Sequence, residues 1–223
     1  DEALADHTKA IELRPDYAAY VSNRGLAYGR KGQLDKALQD FDRAIALEPM
    51  YLDAYVYRGL LFKDRGQFDK AFEDLTFAIS QNTTRDDAYY VRGLMLQDRG
   101  QFGRAVEDFS AALDLNPYHA DAYNNRGLLF AQNGRDDLAF ADFDSAIRVK
   151  PTGVEAYNNR GLVLENLGLY DAAVRAYSQA IELAPADALS YSNRGIAHAK
   201  AGRFEMAIED QTAAIKIKPD LGE

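Results

Sequence analysis

The dipeptide Arg-Gly occurs at Arg24-Gly25, Arg58-Gly59, Arg92-Gly93, Arg126-Gly127, Arg160-Gly161 and Arg194-Gly195, and every step between them is 34 residues. A second glycine series (Gly32, Gly66, Gly100, Gly134, Gly168, Gly202) keeps the same step. So do Ala37, Ala71, Ala105, Ala139, Ala173 and Ala207, and a further alanine series runs from Ala44 to Ala214. Prolines close the units at Pro15, Pro49, Pro117, Pro151, Pro185 and Pro219, with Thr83 the one interruption. A period of this size restricts the chain to an array of supersecondary units, each too small to bury its apolar face without a neighbour.

Each unit reads as two helices. Across residues 121–133 apolar side chains recur at helical spacing, at Tyr123, Leu128, Leu129 and Phe130. Gly134 supplies a stop, because glycine enters the left-handed conformation at low cost. The second helix carries Leu138, Ala139, Phe140, Phe143, Ala146, Ile147 and Val149 on its buried side. Lys150-Pro151 ends it, since proline disfavours helix at the residue before it. Gly127, Ala139 and Ala146 let helix axes approach closely while the large residues fill the gaps. The expected fold class is all-α, a stack of antiparallel helix hairpins.

Numbered within the unit, glycine stands at position 8, alanine at 20 and 27, and proline at 32. An aromatic holds position 4 (Tyr55, Tyr89, Tyr123, Tyr157, Tyr191, with Val21 the exception). Another holds position 24 (Phe41, Phe109, Phe143, Tyr177, with Leu75 in repeat two). In these residues the chain resembles the tetratricopeptide repeat family over almost its whole length. The resemblance implies a right-handed superhelical solenoid whose concave groove is lined by the first helix of each hairpin. A single solenoid over 1–223 is expected, with complete repeats at about 18–51, 52–85, 86–119, 120–153, 154–187 and 188–221. Residues 1–15 match only the second helix of an incomplete repeat, so the natural protein is expected to extend toward its N-terminus. Gln211 replaces the last aromatic, and reads as a partial cap or as a sign that the cap lies beyond Glu223.

Charge and composition narrow the function. A net charge of −9 opposes nucleic-acid binding, which needs a positive surface. The absence of cysteine excludes disulfides and thiolate metal sites. It suits the cytoplasm and the periplasm alike, and the reading favours the former. No apolar run approaches the roughly 20 residues of a membrane span. No phosphate-binding glycine loop, nucleophile elbow or calcium loop occurs, so neither an enzyme nor a cofactor is expected. His7 and His198 fall in slots that hold packing residues elsewhere, and His119 follows Pro117 in a loop. The pairs Asp86-Asp87 and Asp136-Asp137 stand at helix starts, where carboxylates meet the positive end of the macrodipole.

Position 7 is arginine in all six repeats, where the family pattern usually has an aliphatic residue. Five of these arginines have an aspartate sixteen residues later, at Asp40, Asp74, Asp108, Asp142 and Asp210. That separation crosses the hairpin, so an Arg–Asp bridge is expected inside each, because a partly buried guanidinium needs a partner. Repeat five, with Arg160 opposite Ala176, should lack one. The competing reading is a ladder of arginines for an acidic ligand.

If the family geometry holds, position 6 faces the groove, and there stand Asn23, Tyr57, Val91, Asn125, Asn159 and Asn193. Asparagine carries both donor and acceptor and can pair with any peptide backbone. It is otherwise a poor helix former. Family members such as the enzyme that adds N-acetylglucosamine to proteins use similar ladders. In repeats two and three, Val56, Tyr57, Tyr90 and Val91, with Leu60 and Leu94, are expected to form an apolar pocket. Asp53, Asp87, Asp121 and Glu155 at position 2 make an acidic edge suited to a basic peptide, or serve the helix dipole. The lysines and arginines with which some family members clamp the acidic C-termini of heat-shock chaperones are absent from these positions. The expected function is a protein–protein interaction scaffold that holds a peptide or partner segment in the groove. The alternatives are homo-oligomeric assembly through exposed solenoid ends, and recruitment of substrates for a larger enzyme.

Overall fold

Every apolar-periodic segment is helical in the computed structural model, which describes residues 2–219. Residues 220 and 221, placed by the sequence reading in the last repeat, lie outside the described residues. The contacts divide between two units, Asp1–Asn116 and Pro117–Glu223. The first holds α1 (Glu2–Leu13), α2 (Ala18–Arg30), α3 (Leu34–Leu47), α4 (Leu52–Asp64), α5 (Phe68–Ser80), α6 (Asp86–Asp98) and α7 (Phe102–Leu115). The second holds α8 (Ala120–Gln132), α9 (Asp136–Val149), α10 (Val154–Asn166), α11 (Tyr170–Leu183), α12 (Ala188–Lys200) and α13 (Phe204–Ile217). Among the described residues there is no strand.

Local geometry ends each helix. The glycines after the first helices, from Gly32 to Gly202, all have φ between 68° and 76°. The residue after each then donates its N–H five residues back, as Gln67 does to the Phe62 carbonyl at 2.8 Å. This satisfies a carbonyl that the helix end would otherwise leave open. The second helices end by turning extended before proline, as at Glu48 and Lys218. Repeat two lacks the proline and closes differently. Asn82 adopts φ 60°, and the Thr83 N–H donates to the Ala78 carbonyl at 3.1 Å. Asparagine is among the few residues that tolerate this conformation.

Close approach at position 8 sets the hairpin. A Cβ on Gly93 would stand 2.7 Å from Phe109, and one on Gly161 only 2.5 Å from Tyr177. Both rings are fully buried. Between consecutive hairpins, position 21 joins position 10 of the next first helix in an apolar cluster. The pairs are Leu38 with Leu61, Phe72 with Met95, Phe140 with Val163 and Val174 with Ala197.

His198 sits where Phe62 and Phe130 stand in other repeats, and is 8% exposed with Nδ1 unpartnered. Burial, joined by Arg203 and Arg194 and opposed by Asp210 and Asp171, lowers its pKa. The unfolded chain therefore binds the proton more readily, and the folded state loses stability as pH falls through the unfolded value of about 6.5. The His198→Phe variant should show a smaller drop in Tm than wild type between about pH 7.5 and about pH 5. An equal drop in the two proteins would show that His198 does not carry this dependence.

Candidate functional site

The arginines of position 7 tie the two helices of a hairpin together in five of the six repeats. Arg24, Arg58, Arg92, Arg126 and Arg194 each place Nε and Nη2 on the two carboxylate oxygens of the expected aspartate at 2.7–2.8 Å. The five aspartates are buried. Arg160, facing Ala176, turns instead to Asp144 at 2.8 Å and Gln179 at 3.1 Å. The competing ladder for an acidic ligand is not what these guanidinium groups form.

A second tie escaped the sequence reading. The Nη1 of Arg58 reaches back to Asp42 at 2.6 Å, and that of Arg194 reaches back to Ser178 at 3.0 Å. Each arginine thus joins its own hairpin to the one before. The signal lies at position 25, where Thr8, Asp42, Thr76, Ser110, Asp144, Ser178 and Thr212 are all acids or hydroxyls. Asp74, joined by Asp42 and opposed by burial, holds the Arg58 pKa above its ordinary range.

On the surface of the first unit, Leu26 and Leu60, with Gly29, Leu34, Phe41 and Tyr57, line an apolar hollow of about 380 Å³. Arg30 and Asp64 are the charged residues in its wall. A second hollow of about 450 Å³ shares Leu26 and Arg30 with it and reaches α1 at Leu4 and His7. Asn23 lies in its wall, exposed, and makes no side-chain hydrogen bond among the described residues. The two hollows adjoin through their shared residues.

Tyr57 is half-buried, and its hydroxyl accepts from Arg85, whose guanidinium carbon stands 4.7 Å from the ring centre. Arg85 also grips Asp87 through Nε at 3.1 Å and Nη2 at 2.6 Å. Asp87 is therefore neutralised, while Asp53 has no cation partner among the described residues. Sequence reasoning did not single out Arg85. Tyr90 is half-buried, its ring centre 5.9 Å from that of Phe109. Val56 and Val91 are 0% and 6% exposed, and join Leu75, Ala88 and Met95 in a core cluster. Val91 is thus core, and the pocket expected around these valines is not open. Both valines face the adjoining hairpin, and the open hollow lies one hairpin earlier.

In the second unit, Asn125 donates to the Asp121 carbonyl at 2.8 Å, and Asn159 to the side-chain oxygen of Asn124 at 2.9 Å. Asn193 is half-buried and makes no side-chain hydrogen bond among the described residues. Asp121 and Glu155 are exposed. His119 caps α8, its Nδ1 accepting from the Ala122 N–H at 3.3 Å. Asp86 and Asp136 open α6 and α9. Among the described residues no three metal-ligating side chains converge, and no helix is long and apolar enough to cross a membrane.

Sequence profiles described as tetratricopeptide repeat match residues 20–51, 90–154, 154–187 and 188–221. The chain belongs to the tetratricopeptide repeat family. As a tetratricopeptide repeat protein it is a protein-interaction scaffold, in a fold whose ordinary role is to hold partners and not to catalyse. No curated protein sequence matches it. Among solved structures it is similar to MamA, at 29% identity over 71% of this chain and 93% of that one, with a TM-score of 0.64. It is also similar to YrrB, a tetratricopeptide repeat protein with an unusual peptide-binding site, at 23% identity over 82% and 94% (TM-score 0.73). PilF of Pseudomonas aeruginosa is 17% identical over 93% and 94%, with a TM-score of 0.75. These last two likenesses bear on the fold alone.

Proposed function

We propose that this tetratricopeptide repeat protein binds extended peptide segments of partners along the first helices of the hairpins within each of its two units. The anchor is an apolar side chain seated between Leu26 and Leu60. The observation that carries this reading is the pair of adjoining hollows, apolar at the leucines and bordered by the uncommitted amide of Asn23. The amide pairs with peptide backbone, and the hollow selects a side chain. Asp53, which has no cation partner among the described residues, favours a basic residue in the bound segment. Tyr57 and Tyr90 add aromatic surface, with Tyr57 held in place by Arg85. In the second unit Asn125, Asn159 and Asn193 offer amides along the acidic edge of Asp121 and Glu155, the first two by exchanging an internal hydrogen bond for one to the peptide.

Selection from a diverse peptide library tests the reading. Burying an apolar anchor is worth about 1.5–3 kcal/mol. The Leu26→Ser, Leu60→Ser double variant should therefore bind selected peptides about 10- to 100-fold more weakly. The Asn23→Ala variant should lose a smaller factor, and helicity should be unchanged in both. Peptides that bind wild type and the double variant equally would refute the proposal.

A further inference from the structure

We infer that the anchor seated between Leu26 and Leu60 is an aromatic side chain with an acidic residue beside it in the partner segment, and that Gly29 selects it. This deepens the peptide-binding reading above and rests on it. Gly29 stands in the last turn of α2, where glycine costs stability relative to alanine. It is not among the glycines with positive φ, so the backbone does not require it. Packing does not require it either. Outside its own helix, a Cβ on Gly29 would meet only the Ala37 Cβ, at an ordinary 3.9 Å. Gly25, one turn earlier, differs sharply, since a Cβ there would stand 2.8 Å from Phe41. The other repeats carry Lys63, Gln97, Ala131, Glu165 and Ala199 at position 12, so Gly29 alone has no side chain there.

The missing side chain leaves room in the hollow. Gly29 lines the apolar space of about 380 Å³ together with Leu26, Leu34, Leu60, Phe41 and Tyr57. The hollow is interior to the first unit: its wall comes from α2, α3 and α4, each with a described helix before and after it in the chain. Two rings already stand in that wall, Phe41 and Tyr57, with centres 5.9 Å apart and planes tilted by 32°. A third ring gains from both beyond the area it buries, which an aliphatic anchor does not. Charge sets the neighbour of the anchor. Asp64 pairs with Lys63 at 3.2 Å, whereas Arg30 is exposed and has no hydrogen bond or ion pair among the described residues. The free charge in the wall is therefore positive, and an acidic residue complements it. Arg30 ends α2 and Asp53 opens α4, so the two charges address different residues of the segment.

The probes are peptides selected on wild type from a fully randomised library. The anchor is the position whose alanine substitution weakens binding to wild type but costs nothing further in the Leu26→Ser, Leu60→Ser variant. It should be Phe, Tyr or Trp, with Asp or Glu close by. Gly29→Ala should raise Tm by about 2–4 °C. The same variant should bind the aromatic-anchored peptide about tenfold more weakly, while a version of the peptide with leucine as anchor loses little. Arg30→Gln should weaken the peptide about two- to fivefold, and should not affect a version whose acidic residue is replaced by its amide. A Gly29→Ala variant that gains stability and keeps full affinity overturns the inference. So do aliphatic anchors that depend on Leu26 and Leu60, an outcome that leaves the peptide-binding reading standing. Selected peptides indifferent to Leu26 and Leu60, or no selected peptides at all, overturn both.

Discussion

The Asp108→Ala variant should be about 3–5 kcal/mol less stable than wild type. Asp108 is 5% exposed and takes both of its hydrogen bonds from Arg92 at 2.7 Å. The Arg92 side chain is itself only 13% exposed, so removing the carboxylate leaves a guanidinium largely out of water without its partner. The cost comes mainly from that orphaned charge. Replacing both members, Arg92→Leu with Asp108→Leu, should therefore recover most of the loss, since a well-packed apolar pair often equals a buried ion pair. The pair of Arg65 with Asp35 provides the contrast. It has a similar distance of 2.8 Å, but Asp35 is 81% exposed, and Asp35→Ala should cost under about 1 kcal/mol. Urea denaturation at constant m distinguishes the cases. Equal losses for Asp108→Ala and Asp35→Ala would show that burial does not govern these bridges.

Gly161→Ala should cost about 3 kcal/mol, the upper end for adding one methyl to a packed core. The new Cβ would stand 2.5 Å from Tyr177 Cε1 and 2.8 Å from two further ring atoms. Tyr177 is fully buried, and its hydroxyl donates to Glu165 at 3.4 Å, so the ring has little room to withdraw. Repeat two indicates the rescue. There Leu75 takes the aromatic's place and leaves 3.1 Å to a Cβ on Gly59. Adding Tyr177→Leu to Gly161→Ala should restore part of the stability, although Tyr177→Leu alone destabilises by leaving a void. Gly100→Ala meets nothing within 4 Å and should cost only about 1 kcal/mol, through its positive φ. Losses that follow backbone φ and not ring distance would contradict this account of position 8.

Much of this was legible in sequence because the repeat supplies its own alignment. Six copies of Arg-Gly and five aspartates at a fixed offset were enough to place the bridges, and Ala176 was enough to predict the one that is missing. What was not legible depends on the neighbouring hairpin. A helical wheel assigns a side to Val56 and Val91, but not how far the next hairpin covers that side, so core valines read as a pocket. The backward tie from Arg58 to Asp42 joins two repeats, and its signal at position 25 mixes acids with hydroxyls. Arg85 stands where no other repeat has an arginine, so the period could not announce that it holds Tyr57 and Asp87. Gln211 looked like a cap because its direction is set by the Ser192 carbonyl across the hairpin, which residue type alone does not reveal.

In the proposed binding mode the adjoining hollows of the first unit hold the partner segment. Its most direct test is amide chemical-shift mapping with a peptide selected from the library. The account predicts that the largest shifts fall on α2 and α4, around Asn23, Leu26, Tyr57 and Leu60, and that they vanish in the Leu26→Ser, Leu60→Ser variant. Shifts concentrated on the second helices or on α13, unchanged by that substitution, would contradict it.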